Sequence, residues 1–155
     1  MGAVKFYHLR QNSLGDVART LLGQALSQGW HVMLRGATRP ALERLDQELW
    51  QGPEDSFLPH GLEGGPHDAD QPVLLGTGAA VNGARAVMLL AGSPVDPGEA
   101  AGMERIWLLF EDFDEEQMQI ARAEWRAVTK AGLTAEYWSD ESGRWVKKAE
   151  SKPAA

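Results

Sequence analysis

The stretch AVKFYHLRQNSLGDVARTLLGQALSQGWHVML, residues 3–34, carries the pattern that predicts the fold of this chain. The apolar run at Ala3–Leu9 predicts a first strand, and Trp30–Leu34 predicts a second. Between them, apolar residues recur at helical intervals after Asn12 or Ser13, either of which can cap a helix. These residues are Val17, Leu21, Leu22 and Ala25, and Gly29 ends the pattern. A strand, a helix and a strand in this order predict a parallel βαβ unit with a right-handed crossover.

The rest of the chain continues this alternation. A second helix begins after Thr38 and Pro40 and stops at Gly52-Pro53. Its predicted buried side consists of Leu42, Leu45, Leu49 and Trp50. Further strands are predicted at Pro72–Leu75, Arg85–Leu90 and Arg105–Phe110, and in a closing pair at Glu136–Trp138 and Arg144–Val146, with Leu62–Gln71 as an exposed loop. We expect one α/β domain over residues 1–148, with a mostly parallel central sheet, helices on both faces and a flexible polar tail at residues 149–155.

Composition limits the possible functions. The chain has 155 residues, 43% of them hydrophobic, which suits one globular domain. Fifteen Lys and Arg against 22 Asp and Glu give a net charge of −7, which disfavours a general nucleic-acid binder. The absence of cysteine excludes disulfides and thiolate chemistry. No signal peptide or membrane span is evident, so we expect a soluble cytoplasmic protein.

The sequence carries no motif for catalysis or for a cofactor. The turn after the first strand contains only Gly15, where a dinucleotide fingerprint needs three glycines, and no lysine followed by Ser or Thr closes a phosphate loop. The metal-capable residues His60, His67, Asp68 and Asp70 have no spacing that fixes a coordination geometry. The sequence therefore favours a binding protein without cofactor or metal. A nucleotide-dependent enzyme or regulator on the same scaffold, with nucleotide-binding-like topology, is the alternative.

A predicted helix at Asp112–Gly132 carries a group of basic residues, although the protein as a whole is acidic. Arg122, Arg126 and Lys130 are spaced by four residues and therefore form one stripe, which borders the apolar arc containing Trp125. Local charge opposite to the net charge often marks a binding surface. A solvated face above a core aromatic is the common alternative, and direct binding of single-stranded nucleic acid is a third reading, which the net charge opposes.

Several segments resemble the chi subunit family of bacterial DNA polymerase III. They are Phe6-Tyr7-His8, Leu45-Asp46 with Leu49-Trp50, Asp55-Ser56-Phe57-Leu58-Pro59-His60-Gly61, Pro72-Val73-Leu74, Ala121-Arg122-Ala123-Glu124-Trp125-Arg126, and Tyr137-Trp138 with Ser142-Gly143-Arg144-Trp145. The resemblance spans nearly the whole chain. It implies a non-catalytic accessory subunit of the clamp-loader complex, with a fold like that of nucleotide-binding domains but without the nucleotide site.

The resemblance also implies a partner and a site. Chi-like proteins bind the acidic C-terminal tail of single-stranded DNA-binding protein, which ends in an aromatic residue, and so link that protein to the replicase. The family's site uses an arginine, an aromatic three positions later and a basic residue directly after it, which here are Arg122, Trp125 and Arg126. Thr129 is expected to help form the wall of an apolar pocket. Lys130 could compensate for Met118, which replaces a basic residue found in other members.

The family's second partner is the small psi subunit, which bridges chi to the clamp loader. The resemblance places its surface near Phe57 and Phe110. The alternative for both phenylalanines is an ordinary core position, because Phe57 precedes a Leu-Pro turn and Phe110 ends an apolar strand. Nucleic acid is expected to be reached only indirectly, through the DNA-binding partner.

Overall fold

A central sheet carries the fold in the computed structural model, which describes residues 3–51 and 58–152. Its strands are β1 (Val4–Leu9), β2 (Val32–Arg35), β3 (Gly61–Leu62), β4 (Val73–Gly76), β5 (Ala86–Leu90), β6 (Arg105–Glu111), β7 (Ala135–Ser139) and β8 (Val146–Ser151). The helices are α1 (Leu14–Ser27), α2 (Arg39–Trp50), α3 (Pro97–Ala100) and α4 (Glu115–Lys130).

The strands are ordered β3-β4-β2-β5-β6-β1-β7-β8. The pairs from β3 to β7 are parallel, and β8 joins β7 antiparallel. The predicted fold class, a mostly parallel α/β sheet, is therefore confirmed. The expected pairing of the two C-terminal strands is also present, across the turn that contains Gly143.

Each long helix begins where the sequence supplies a cap. The side chain of Ser13 accepts a hydrogen bond from the amide of Asp16, Thr38 accepts one from Ala41, and Asp114 accepts one from Gln117. These bonds satisfy amides that have no partner within the first helical turn. Just beyond α1 and α4 stand Gly29 and Gly132, both with φ of 83°, the left-handed conformation that glycine adopts without strain.

Side chains alternate across the sheet and build a core on each face. Leu34, Met88 and Trp107 pack under α1 and α2. Phe6 and Leu108 lie on the other face, with the buried residues of α3 and α4. The expected placement of helices on both faces is thus confirmed.

Three local expectations differ from the structure. Trp50 was predicted on the buried side of α2 but is 52% exposed, with its ring 4.2 Å from that of His60. Neighbouring residues on a helix point about 100° apart, and Leu49 already takes the core position. Residues 149–151, expected in the tail, continue β8. The predicted loop at Leu62–Gln71 begins within β3 and contains a 3₁₀ turn at Asp68–Asp70.

None of the helices within the described ranges is both long enough and apolar enough to span a bilayer.

Candidate functional site

A cavity of about 270 Å³ opens between α4 and the adjoining part of the sheet. Ala121 and Val128 fix the helix over the sheet because both are buried in the core of that face. The cavity is lined by Phe6, Phe110, Met118, Ala121, Arg122, Trp125, Arg126 and Tyr137. It therefore combines side chains from α4 with side chains from three strands.

The sheet side of the cavity is aromatic. Phe6, Phe110 and Tyr137 come from the neighbouring strands β1, β6 and β7 and project from the same face. The ring of Trp125 meets that of Phe6 edge to face, with centroids 5.2 Å apart and an interplanar angle of 66°. This arrangement is favourable for aromatic quadrupoles and fixes the indole as a wall of the cavity.

Two guanidinium groups lie at the edge of the apolar cavity. Arg122 and Arg126 are exposed, one turn apart on α4, and both line the cavity. Neither forms an ion pair with any residue in the described ranges. The nearby carboxylate of Glu124 instead accepts a hydrogen bond from the amide of Val95, at 2.8 Å. The two cations are thus available to an anionic ligand.

The structure separates the predicted site residues into two groups. Arg122, Trp125 and Arg126 meet at the cavity, as the expected site requires. Thr129 and Lys130 do not line it. The hydroxyl of Thr129 donates to the carbonyl oxygen of Trp125 at 2.9 Å, which turns this side chain back onto its own helix.

Met118 lies in the cavity wall, where it adds apolar surface. Lys130 is about three turns from Met118 along α4 and does not line the cavity, so its compensating role stays a prediction.

The two phenylalanines predicted at the psi surface have different outcomes. Phe110 is only 4% exposed and forms part of the cavity floor. Phe57 lies outside the described residues. The sequence did not indicate that Phe6 and Tyr137 line this cavity, because alternation along a strand does not show which helix covers it.

Behind the cavity, Tyr137 is held by a chain of polar side chains that runs from buried His8 to exposed Asp112. Its hydroxyl is hydrogen bonded to Nδ1 of His8, whose Nε2 lies 2.7 Å from Oδ1 of Asp112. Arg10 approaches the same carboxylate, with 3.7 Å between its Nε and Oδ1. Burial raises the pKa of Tyr137, against the opposing effect of Arg10, so the phenol is neutral at physiological pH. The tyrosine ring is thereby fixed in the cavity wall.

The turn between β1 and α1 is bound to a carboxylate from the same chain. Oδ1 of Asp140 accepts the amides of Arg10 and Gln11 at 2.6 and 3.1 Å, and Oδ2 accepts the amide and side-chain Nδ2 of Asn12 at 2.9 and 2.8 Å. In doubly wound folds this turn often presents its amides to a nucleotide phosphate. Here an internal anion takes that position.

The metal-capable residues are dispersed. His60 is buried, and its Nδ1 lies 2.7 Å from the carbonyl oxygen of Leu58, whereas His67 is exposed. The carboxylate of Asp68 accepts the amides of Gly64 and Gly65. Among the residues that the structure describes, no three metal-ligating side chains gather in one place.

The fold and the site together define an α/β protein that presents an apolar cavity edged by unpaired arginines. The sequence model of the DNA polymerase III chi subunit family, HolC, matches residues 1–136, so the chain belongs to that family. It is therefore a replication accessory subunit whose partners lie in the polymerase III complex.

A solved structure confirms the class of fold. The C-terminal domain of the DEAD-box protein Dbp5 is similar over 88% of this chain and 91% of that chain, with a TM-score of 0.52 and 14% sequence identity. At that identity the similarity shows the fold alone. No curated protein sequence matches the chain.

Proposed function

We propose that this chi-family protein binds the acidic C-terminal tail of single-stranded DNA-binding protein at the α4 cavity and so links that protein to the clamp loader. The observation that carries the proposal is the pair of unpaired guanidinium groups, Arg122 and Arg126, at the edge of an apolar cavity. An acidic peptide with an aromatic end matches both features.

The apolar part of the cavity suits the aromatic end of such a tail. A cavity of roughly 150 Å³ already accommodates benzene in a protein interior. The 270 Å³ here therefore leaves room for a phenyl ring between Phe6, Trp125 and Tyr137. Edge-to-face contacts with these rings would add a modest stabilisation to the burial of the ligand's ring.

The two arginines at the edge of the cavity suit the carboxylates of such a tail. Arg122 can engage a terminal carboxylate through two parallel N–H···O bonds, a geometry that lysine does not provide. Arg126, one turn further along α4, is placed for an acidic residue that precedes the end of the tail. Because a flexible peptide loses entropy on binding, we expect a dissociation constant on the order of micromolar. Several tails on one oligomeric partner would raise the apparent affinity.

Titration calorimetry with an acidic peptide that ends in a phenylalanine carboxylate tests this proposal. Arg122→Ala should weaken binding at least about tenfold, since it removes a charge-assisted bidentate contact. Arg44→Ala on α2 is the matched control, because it removes one exposed arginine outside the cavity and should leave the affinity unchanged. The peptide with an amidated C-terminus should bind the wild-type protein weakly. Equal affinities for wild type and Arg122→Ala would refute the site.

The psi surface remains a prediction. Because Phe110 lies in the floor of the α4 cavity, a psi surface that used its ring would share residues with the proposed tail site. Phe57 is the other residue proposed for psi. The nucleotide-dependent alternative gains no support, since the amides of Arg10, Gln11 and Asn12 already bind Asp140.

A further inference from the structure

The face of the sheet opposite α4 carries a row of alternating aromatic and basic side chains. The row crosses the sheet from the end of α1 to β8 and consists of Trp30, Arg105, Lys5, Trp138 and Lys147, which we call the edge strip. All five are at least partly exposed. Helices α1 and α2 cover the sheet farther toward β4 and leave this edge open.

Distances within the edge strip show that its aromatic and basic side chains are neighbours in space. Cζ of Arg105 lies 5.6 Å from the ring centre of Trp30, and Nζ of Lys5 lies 5.8 Å from that of Trp138. Trp138 is paired in register with Lys147 on the neighbouring strand. The register moves the strip two residues along the strands from Arg105 to Lys5 and two more from Lys5 to Trp138, so the strip runs diagonally. With strands about 4.8 Å apart and a rise of about 3.3 Å per residue, it is roughly 19 Å long from β6 to β8.

Three of the five side chains in the edge strip are cationic, and one carboxylate lies among them, because Glu136 accepts the indole N–H of Trp138 at 2.9 Å. Lys5 and Arg105 form no ion pair with the described residues, and Lys147 is bridged to Glu150 at 3.2 Å. Burial and the proximity of Arg105 and Lys147 lower the pKa of Lys5, although Glu136 opposes this effect. Repulsion among these cations would be relieved by an anionic ligand that lies across the strip.

A small cavity lies at one end of the strip. It measures about 190 Å³ and is bordered by Trp30, Arg105, Trp107, Gln24 and Gln28, among others. Trp107 is 1% exposed, and its Nε1 is buried without a hydrogen-bond acceptor in the described residues. An unpaired buried N–H costs free energy, so an acceptor supplied by a ligand would be stabilised there.

We propose that the edge strip binds a short segment of single-stranded nucleic acid. Bases take the positions over the rings of Trp30 and Trp138 that Arg105 and Lys5 occupy in the free protein. The displaced Arg105 and Lys5, together with Lys147, contact phosphates, as cations do beside the aromatic platforms of proteins that bind single strands. A base edge reaches the small cavity, where it accepts the N–H of Trp107. The occupant must be polyanionic, planar and rich in acceptors, and nucleic acid combines all three properties.

This strip and the α4 cavity lie on opposite faces of the sheet, so both ligands can bind at once. A subunit that binds the tail of single-stranded DNA-binding protein on one face and nucleic acid on the other would contact both that protein and the DNA strand to which it is bound. The inference departs from the expectation that nucleic acid is reached only indirectly, and it rests on residues other than those of the proposed function.

Fluorescence polarisation with a labelled oligothymidylate of about 12 nucleotides tests the proposal on the full chain. At low salt, binding should be measurable, with log Kd rising as log salt concentration rises, because single strands release about 0.7 counterion per neutralised phosphate. Arg105→Gln and Lys147→Gln should each reduce that salt slope by about 0.7. Trp138→Phe should weaken binding severalfold while keeping an aromatic ring in the sheet.

The controls separate this site from the alternatives. Arg44→Gln removes a charge away from the strip and should leave the salt slope unchanged. Each strip variant should have the circular dichroism spectrum and thermal unfolding midpoint of the wild type, which shows that it is folded. The proposal fails if the oligonucleotide does not bind at low salt, if Arg44→Gln reduces the slope as much as Arg105→Gln, or if Arg122→Gln alone abolishes binding.

Discussion

At the residue scale, Asp140 takes the part that a bound phosphate has in related folds. Its carboxylate is fully buried and accepts four hydrogen bonds from the turn between β1 and α1. Burial by itself would raise the pKa of Asp140, but the bonds from Arg10, Asn12 and Gln11 outweigh burial and lower it below its usual value of 3.8. The side chain therefore fixes the N-terminal turn onto the C-terminal end of β7.

Replacing this carboxylate should destabilise the protein. Asp140→Asn places an amide N–H₂ against amide donors, so we expect the free energy of unfolding to fall by about 2–3 kcal/mol. Glu141→Gln changes the next residue, which is exposed, and should cost less than about 0.5 kcal/mol. Urea unfolding of the three proteins at pH 7 measures both values. An Asn variant as stable as wild type would contradict the assigned role.

The same carboxylate predicts a pH dependence. Because its pKa is lowered in the folded state, its stabilising contribution is fully present above the usual pKa of 3.8, which applies to the unfolded chain, and is lost as the pH falls through the lower folded value. The stability difference between wild type and Asp140→Asn should therefore shrink as unfolding is measured from pH 5 down to pH 2. A constant difference over this range would show that the carboxylate's ionisation is not responsible.

At the element scale, α4 supplies the basic edge and one wall of the cavity, and its own start is set by Asp114. The carboxylate of Asp114 accepts the Gln117 amide at 3.1 Å. Two turns separate this cap from Arg122, so the cap stabilises the helix without touching the ligand site.

Removal of the cap should thus affect stability and leave peptide binding unchanged. Asp114→Ala should lower the free energy of unfolding by about 1 kcal/mol, the usual value of an N-cap carboxylate. Gln119→Ala, an exposed position within the same helix, should change it by less than about 0.5 kcal/mol. Thermal unfolding and calorimetry with the tail peptide give the two readouts. If the Asp114→Ala protein is fully folded but binds the tail peptide more weakly, the cap sets the position of α4 and not only its stability.

At the scale of the whole molecule, 22 Asp and Glu outnumber 15 Lys and Arg, which gives a net charge of −7. The field of the whole protein therefore opposes the approach of an acidic peptide, and local cations must offset it. Arg122 and Arg126 are exposed, so their attraction to a ligand is open to screening by salt.

Salt should therefore weaken binding of the acidic tail peptide. Raising NaCl from about 0.05 M to about 0.5 M shortens the screening length from above 10 Å to below 5 Å, and we expect the dissociation constant to increase about tenfold. A peptide with the same terminal phenylalanine but neutral preceding residues should respond less. Calorimetry at both salt concentrations measures the change, and an affinity that does not depend on salt would exclude a role for the arginines in attraction.

Local pattern was sufficient to predict much of the fold. Ser13 and Thr38 cap the helices that the sequence predicted, and the apolar run at Arg105–Phe110 forms the central strand β6. Caps and periodicity act over a few residues, so they can be recognised without knowing the fold. The position of Trp50 and the extension of β8 depend on neighbours distant in sequence, and both were mispredicted.

Patterns along the chain were sufficient for the alternating α/β order, the basic stripe of α4 and the resemblance that indicated Arg122, Trp125 and Arg126. The tertiary structure was needed to show that Phe6, Phe110 and Tyr137 line the α4 cavity and that Thr129 and Lys130 do not. Helical spacing fixes which residues share one face of α4, because that geometry is local. A cavity forms where distant segments meet, and sheet topology alone brings β1, β6 and β7 beneath the same helix.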